Sequence, residues 1–71
     1  MSGSLSWVVV WNDSVDGTNH REHSRSRALA LRAACDLISQ RHTVERIEGR
    51  NGVIIQREAI EQYCRGRTRL P

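Results

Sequence analysis

The sequence predicts an α+β domain of order β-β-α-β-β-α, with a four-stranded antiparallel sheet and two helices packed on one face. Three observations predict it: a β-branched and aromatic run at 7–11, an Ala-, Leu- and Arg-rich stretch at 27–41, and an Asn51-Gly52 pair between apolar segments. The first marks a strand. The second has the composition and period of a helix. The third is a hairpin signal, because both central residues of a type I′ turn need positive φ.

Each element follows in order. Trp7, Val8, Val9, Val10 and Trp11 form the first strand. Asn12, Asp13, Ser14, Asp16 and Gly17 are turn formers, so the polar segment 18–23 returns as the edge partner of a hairpin. Ser24 or Ser26 then offers an N-cap. At about 100° per residue, Ala28, Leu31, Ala34, Cys35 and Ile38 share one face of the first helix, and Ala30, Ala33 and Leu37 widen the arc. Arg25, Arg32, Asp36, Ser39 and Gln40 fall opposite, and Leu29 sits among the polar residues. His42-Thr43 leads into a strand over 43–48, whose apolar members Val44 and Ile47 are three apart and so point to opposite faces. The next strand is 53–55. A second helix spans 57–65, with Ala59, Ile60, Tyr63 and Cys64 as its apolar face and Gly66 just past its end. The ordered core is expected over about 5–66, with 67–71 a frayed tail.

Two strands do not alternate. In the first, Trp7, Val9 and Trp11 point one way and Val8 and Val10 the other. In the fourth, Val53 and Ile55 oppose Ile54. Strands apolar on both faces are usually covered on both, which predicts the order 2-1-4-3 with these two strands central. Two helices cover one face only. The other face then carries either Val8, Val10 and Ile54 or Trp7, Val9, Trp11, Val53 and Ile55. The bulk of the tryptophans makes theirs the better interface candidate. The expectation is a small interaction module that forms a homodimer or docks a protein partner, unless an edge loop or the tail folds over the patch.

Size points the same way. A chain of 71 residues makes one domain with a modest core, and such domains often need a disulfide, a metal or a partner. Cys35 and Cys64 stand without a secretory signal, which predicts free, buried thiols in a reducing cytoplasm. No segment approaches the roughly 18 apolar residues of a membrane helix, so a soluble protein is expected. His20, His23 and His42 do not form tight ligand pairs with each other or with the cysteines, so no metal or cofactor is expected. No nucleophile elbow and no phosphate-binding glycine loop is present. Cys35, His42 and Asp36 could be imagined as a nucleophilic set, but Cys35 is expected beneath the sheet, without the exposed electropositive pocket a reactive thiolate needs. An enzyme is not expected.

Charge supplies the alternative. The net charge is +3 and all 11 basic residues other than histidine are arginines. Arg21, Arg25, Arg27 and Arg32 cluster before and within the first helix, where cations oppose the helix dipole. A basic cluster is the electrostatic footprint of nucleic-acid binding. A lysine-free composition equally fits a GC-rich coding bias.

The Trp7-Val8-Val9 strand, the Ala-rich segment 28–38, and Val44 through the Gly52-Val53-Ile54 turn and strand carry one likeness. On these residues the chain resembles short bacterial domains of unknown function built from a Trp-x-Val strand, an Ala-rich helix and an apolar strand pair around a Gly-bearing turn. It departs from them in its arginine-rich lead-in to the helix and in the added segment 59–64. The resemblance implies a fold and assigns no functional residues.

Overall fold

The structure, a computed structural model, describes residues 6–68. It has the expected element order and class. β1 (Trp7–Asn12) and β2 (Asn19–Ser24) form an antiparallel hairpin with Trp7 opposite Ser24 and Asn12 opposite Asn19. Asp13 organises the turn. Its backbone N–H donates to the Thr18 carbonyl at 2.8 Å, and its carboxylate accepts from the Val15 N–H at 2.7 Å.

α1 (Arg27–Ser39) starts at Ser26, whose hydroxyl oxygen accepts the Leu29 N–H at 3.2 Å. It ends as Arg41 turns into the left-handed region at φ 71°, while the His42 N–H returns to the Leu37 carbonyl at 3.0 Å. Ala30, Leu31 and Ala34 are its buried residues. Ala28, expected on the apolar face, is exposed: the buried stripe is rotated toward Ala30.

β3 (Thr43–Glu48) and the three-residue β4 (Ile54–Gln56) complete one sheet in the order β2-β1-β3-β4. The expected order 2-1-4-3 is therefore corrected, and the reason is a bulge. Val10 pairs with Arg46 and Trp11 with Val44, which leaves Glu45 without an opposite number. One extra residue reverses the alternation, so Val44 and Ile47 both point to the helices, where each is buried. That makes β3 a good neighbour for β1. β4 stays short because α2 (Arg57–Thr68) begins directly after it, and Val53 precedes the strand instead of belonging to it.

The connection between β3 and β4 holds a 3-10 turn over Arg50–Gly52. Asn51 and Gly52 adopt φ 58° and 78°, the positive values the pair implies, in a three-residue loop closed by a 2.7 Å bond from the Gly49 N–H to the Val53 carbonyl. A Cβ on Gly52 would meet nothing within 4 Å. Gly52→Val is therefore expected to cost on the order of 1–2 kcal/mol through the backbone alone. An unchanged urea midpoint would show that the turn does not need its positive φ.

The core lies between the sheet and the helices. Val9, Val44 and Ile47 from the sheet meet Ala30, Leu31 and Ala34 from α1 and Ile60 and Cys64 from α2, with Trp7, Trp11 and Ile55 packed around them. α1 spans β2, β1 and β3, and α2 covers β3 and β4. α2 continues through Gly66, so that residue does not end it; of the expected tail, 69–71 lie outside the described residues. Ala59 and Tyr63 are exposed, leaving Ile60 and Cys64 as the buried anchors of α2.

The expectation of free thiols is overturned. Cys35 and Cys64 form a disulfide between α1 and α2, with Cα atoms 5.4 Å apart. The two positions share no local motif. They meet because α2 crosses beside α1 on the sheet. The covalent supplement that small domains often need is thus supplied within the chain. No helix among the described residues is long and apolar enough to cross a membrane.

Candidate functional site: the open face of the sheet

The face opposite the helices is built by strand register. One row across it reads Arg21, Val10, Arg46, Gln56, and the next reads His23, Val8, Glu48, Ile54. Val10 is only 6% exposed yet stands outside the core cluster. Its cross-strand neighbours Arg21 and Arg46 flank it, and their aliphatic stems can shield a valine while their guanidinium groups stay in water. Glu48 ties the two together. Its carboxylate accepts from Arg21 Nη2 at 2.9 Å and from Arg46 Nε at 2.8 Å. The hydrogen bond from Arg46, aided by the charges of Arg21 and Arg46, holds the Glu48 carboxyl below its ordinary range against the opposing effect of desolvation. Arg46 Nη1 stands 3.7 Å from Glu45, an ion-pair distance too long for a hydrogen bond. A shallow basin of about 500 Å³ opens between Val10, Asn19, Arg21, Glu45 and Arg46.

This arrangement corrects the interface set expected from the tryptophans. Trp7, Val9, Trp11 and Ile55 pack on the helix side, Val9 fully buried and the other three half-buried against the core, so they do not form the open face. Val53 is 49% exposed but precedes β4 at the sheet margin. The surface set is Val8, Val10 and Ile54. It is also less bare than two-sided strands suggest, since Val10 is only 6% exposed between Arg21 and Arg46.

The arginines are separated as well. Arg21 is on the open face, bound to Glu48. Arg32 is exposed on α1, in the other layer. Arg25 and Arg27 lie at the β2–α1 junction, exposed and with no ion pair among the described residues. The four do not converge on one surface.

A second cluster sits at the hairpin tip. Asp13, Asp16 and His20 place ligand atoms within 4.8 Å of one another. Turn chemistry already engages them: Asp16 accepts from the Thr18 N–H and hydroxyl at 3.0 and 2.6 Å, and His20 Nε2 shares a 2.7 Å hydrogen bond with Thr18 Oγ1. The hydrogen bonds from Thr18 keep the Asp16 carboxyl below its ordinary value. His20 stacks on Trp11 at 4.6 Å, and His42 tilts against the same ring at 4.9 Å. His42 Nδ1 accepts the Ser14 N–H at 3.2 Å. The indole N–H of Trp11 is buried with no hydrogen-bond partner among the described residues. Pairing by sequence spacing set His20 beside His23 and so missed this cluster. The signal was the register: Trp11 opposite His20 places His20 over the turn that holds both aspartates. Comparison with protein-family models, curated proteins and solved structures gives no significant match for this chain.

Proposed function

We propose that the protein is a small interaction module, not an enzyme, and that it docks a protein partner on the open face of its sheet. The observation that carries this reading is one-sided coverage: both helices lie on one face, and the other presents Val8, Val10 and Ile54 beneath a network of two arginines and a glutamate. A flat apolar floor with a polar rim is the usual anatomy of a protein interface. The face holds Arg21 and Arg46 against Glu45 and Glu48, so it lacks the excess positive charge that phosphate recognition uses.

The test is positional. A photo-crosslinking side chain at His23 or Ile54, on the open face, is expected to give protein adducts in concentrated native extract. The same group at Arg32 on α1 is expected to give none. Adducts at Arg32 without adducts at His23 or Ile54 would move the docking surface to the helices and refute the reading.

A further inference from the structure

We infer that the occupant of the open face is a second copy of the chain, related by a two-fold axis that lies between the two sheets and runs across the strands. The inference rests on the reading of that face as a docking surface. Its own support is the pattern of the two rows. In strand order they are Arg21, Val10, Arg46, Gln56 and His23, Val8, Glu48, Ile54.

An axis across the strands exchanges these rows and leaves the strand order unchanged. Val8 then faces Val10 of the second copy, and Val10 faces its Val8. Arg46 faces Glu48 of the second copy, and Glu48 faces its Arg46. Ile54 meets the aliphatic stem of Gln56. At the edge Arg21 faces His23 of the second copy, while at the two central strands apolar faces apolar and opposite charges face each other, in a self-complementary contact. An axis along the strands would instead set each row against its own reversal. Arg46 would then lie on Val10 and Glu48 on Val8, so charges paired only within their own chain would lose water to apolar groups and gain no partner from the second copy, which is costly. The chemistry of the face therefore selects one of the two.

The ion pair has capacity for this sharing. Arg46 donates its Nε–H to Glu48, while its Nη1 reaches Glu45 only at 3.7 Å. Its outer donors can turn to Glu48 of the second copy, and each Glu48 then sits among arginines of both chains. Such pairs set orientation more than affinity, and Val8 and Ile54, with the aliphatic stems beside the buried Val10, supply the apolar contact. With so small an apolar floor the dimer is expected to be weak and reversible.

Sedimentation equilibrium and charge reversal test it. At roughly 100 µM, a concentration at which a small interface of this kind is populated, the wild-type chain is expected to show dimer mass. Arg46→Glu and Glu48→Arg each put like charges face to face and are expected to be monomeric alone. Mixed in equal amounts they are expected to form a heterodimer. Circular dichroism checks that each variant folds. If a single variant does not, the double variant Arg46→Glu/Glu48→Arg, which keeps the pair with its ends exchanged, must dimerise as the wild type does. A monomeric wild type overturns the inference, and crosslinks from His23 or Ile54 to a different protein would then leave the docking reading standing. A dimer that persists in both single variants, or a mixture that gains nothing, also overturns it.

Discussion

Reduction of the Cys35–Cys64 disulfide, or its replacement by Cys35→Ala/Cys64→Ala, is expected to lower stability by about 3–4 kcal/mol, the chain-entropy value for a loop of this size. The bond closes a loop of sequence separation 29. A domain of this length is expected to have a total stability of roughly 4–11 kcal/mol, so the loss is a large fraction of the whole. It is also expected to be uneven. β1, β2, β3 and α1 share the larger part of the core, whereas α2 contributes Ile60 and Cys64. A buried isoleucine contributes about 1.5–3 kcal/mol, too little alone to hold a helix against its conformational entropy. Amide exchange in α2 should therefore accelerate before exchange in β1 and α1 does. The measurement is the urea midpoint with and without a dithiol reductant, with free thiols counted to confirm reduction. A fully reduced protein with an unchanged midpoint would show that packing alone secures α2.

The same bond changes the reasoning about partners. Small size suggested that folding itself would call for a second chain. With α2 tied to α1, the monomer can be stable without one, and the case for association moves to the chemistry of the open face. Substitutions at Arg46 and Glu48 alter half-exposed charges outside the core cluster; Arg46 also flanks the buried Val10, which is why the fold of each variant is checked. Folded monomeric variants are thus expected, and binding can be separated from folding.

What could be read from the sequence was local. Ser26 caps α1 because a hydroxyl three residues before an amide can satisfy it, whatever the rest of the chain does. Asn51 and Gly52 take positive φ for reasons contained in those two residues. β1 declares itself through five successive β-branched or aromatic side chains. What could not be read depends on pieces meeting. Val44 and Ile47 share a face only because Glu45 bulges against β1, and a single added residue in a ladder leaves no clear mark in a six-residue pattern. That shift also decided which strand lies beside β1. Alternation leaves open which face of β1 meets the helices, and bulk favours the tryptophans as the interface; in the structure both pack against the core on the helix side. That Val10 lies 6% exposed between two arginines is not visible while arginine is counted only as charge. Cys35 and Cys64 lie on different helices, and only the crossing of those helices brings them within bonding distance.

Gly49→Ala is expected to cost about 2–3 kcal/mol, the upper range for forcing volume into a packed site, and the reason is space, not backbone freedom. Gly49 has φ −114° and ψ −166°, an extended conformation open to any residue. A Cβ placed there would lie 2.5 Å from Trp7 Cζ3 and 2.8 Å from Cε3 and Cη2, inside the contact distance of the indole. The ring is rigid and packs against the core, so it cannot yield by turning a flexible end. Either the indole lifts from the core or the loop opens. Opening the loop strains the 2.7 Å bond from the Gly49 N–H to the Val53 carbonyl and loosens β4 at the sheet edge. Trp7 itself is set by register, since the pairing of Val8 with Glu48 carries the ladder on to Trp7 beside Gly49. A double-mutant cycle isolates the contact. In a Trp7→Ala background the ring is gone, and Gly49→Ala is expected to cost less than about 0.5 kcal/mol, the margin within which independent sites add. Tryptophan fluorescence should report the displaced ring in the single variant. Equal costs in both backgrounds would show that Gly49 is not there to admit Trp7.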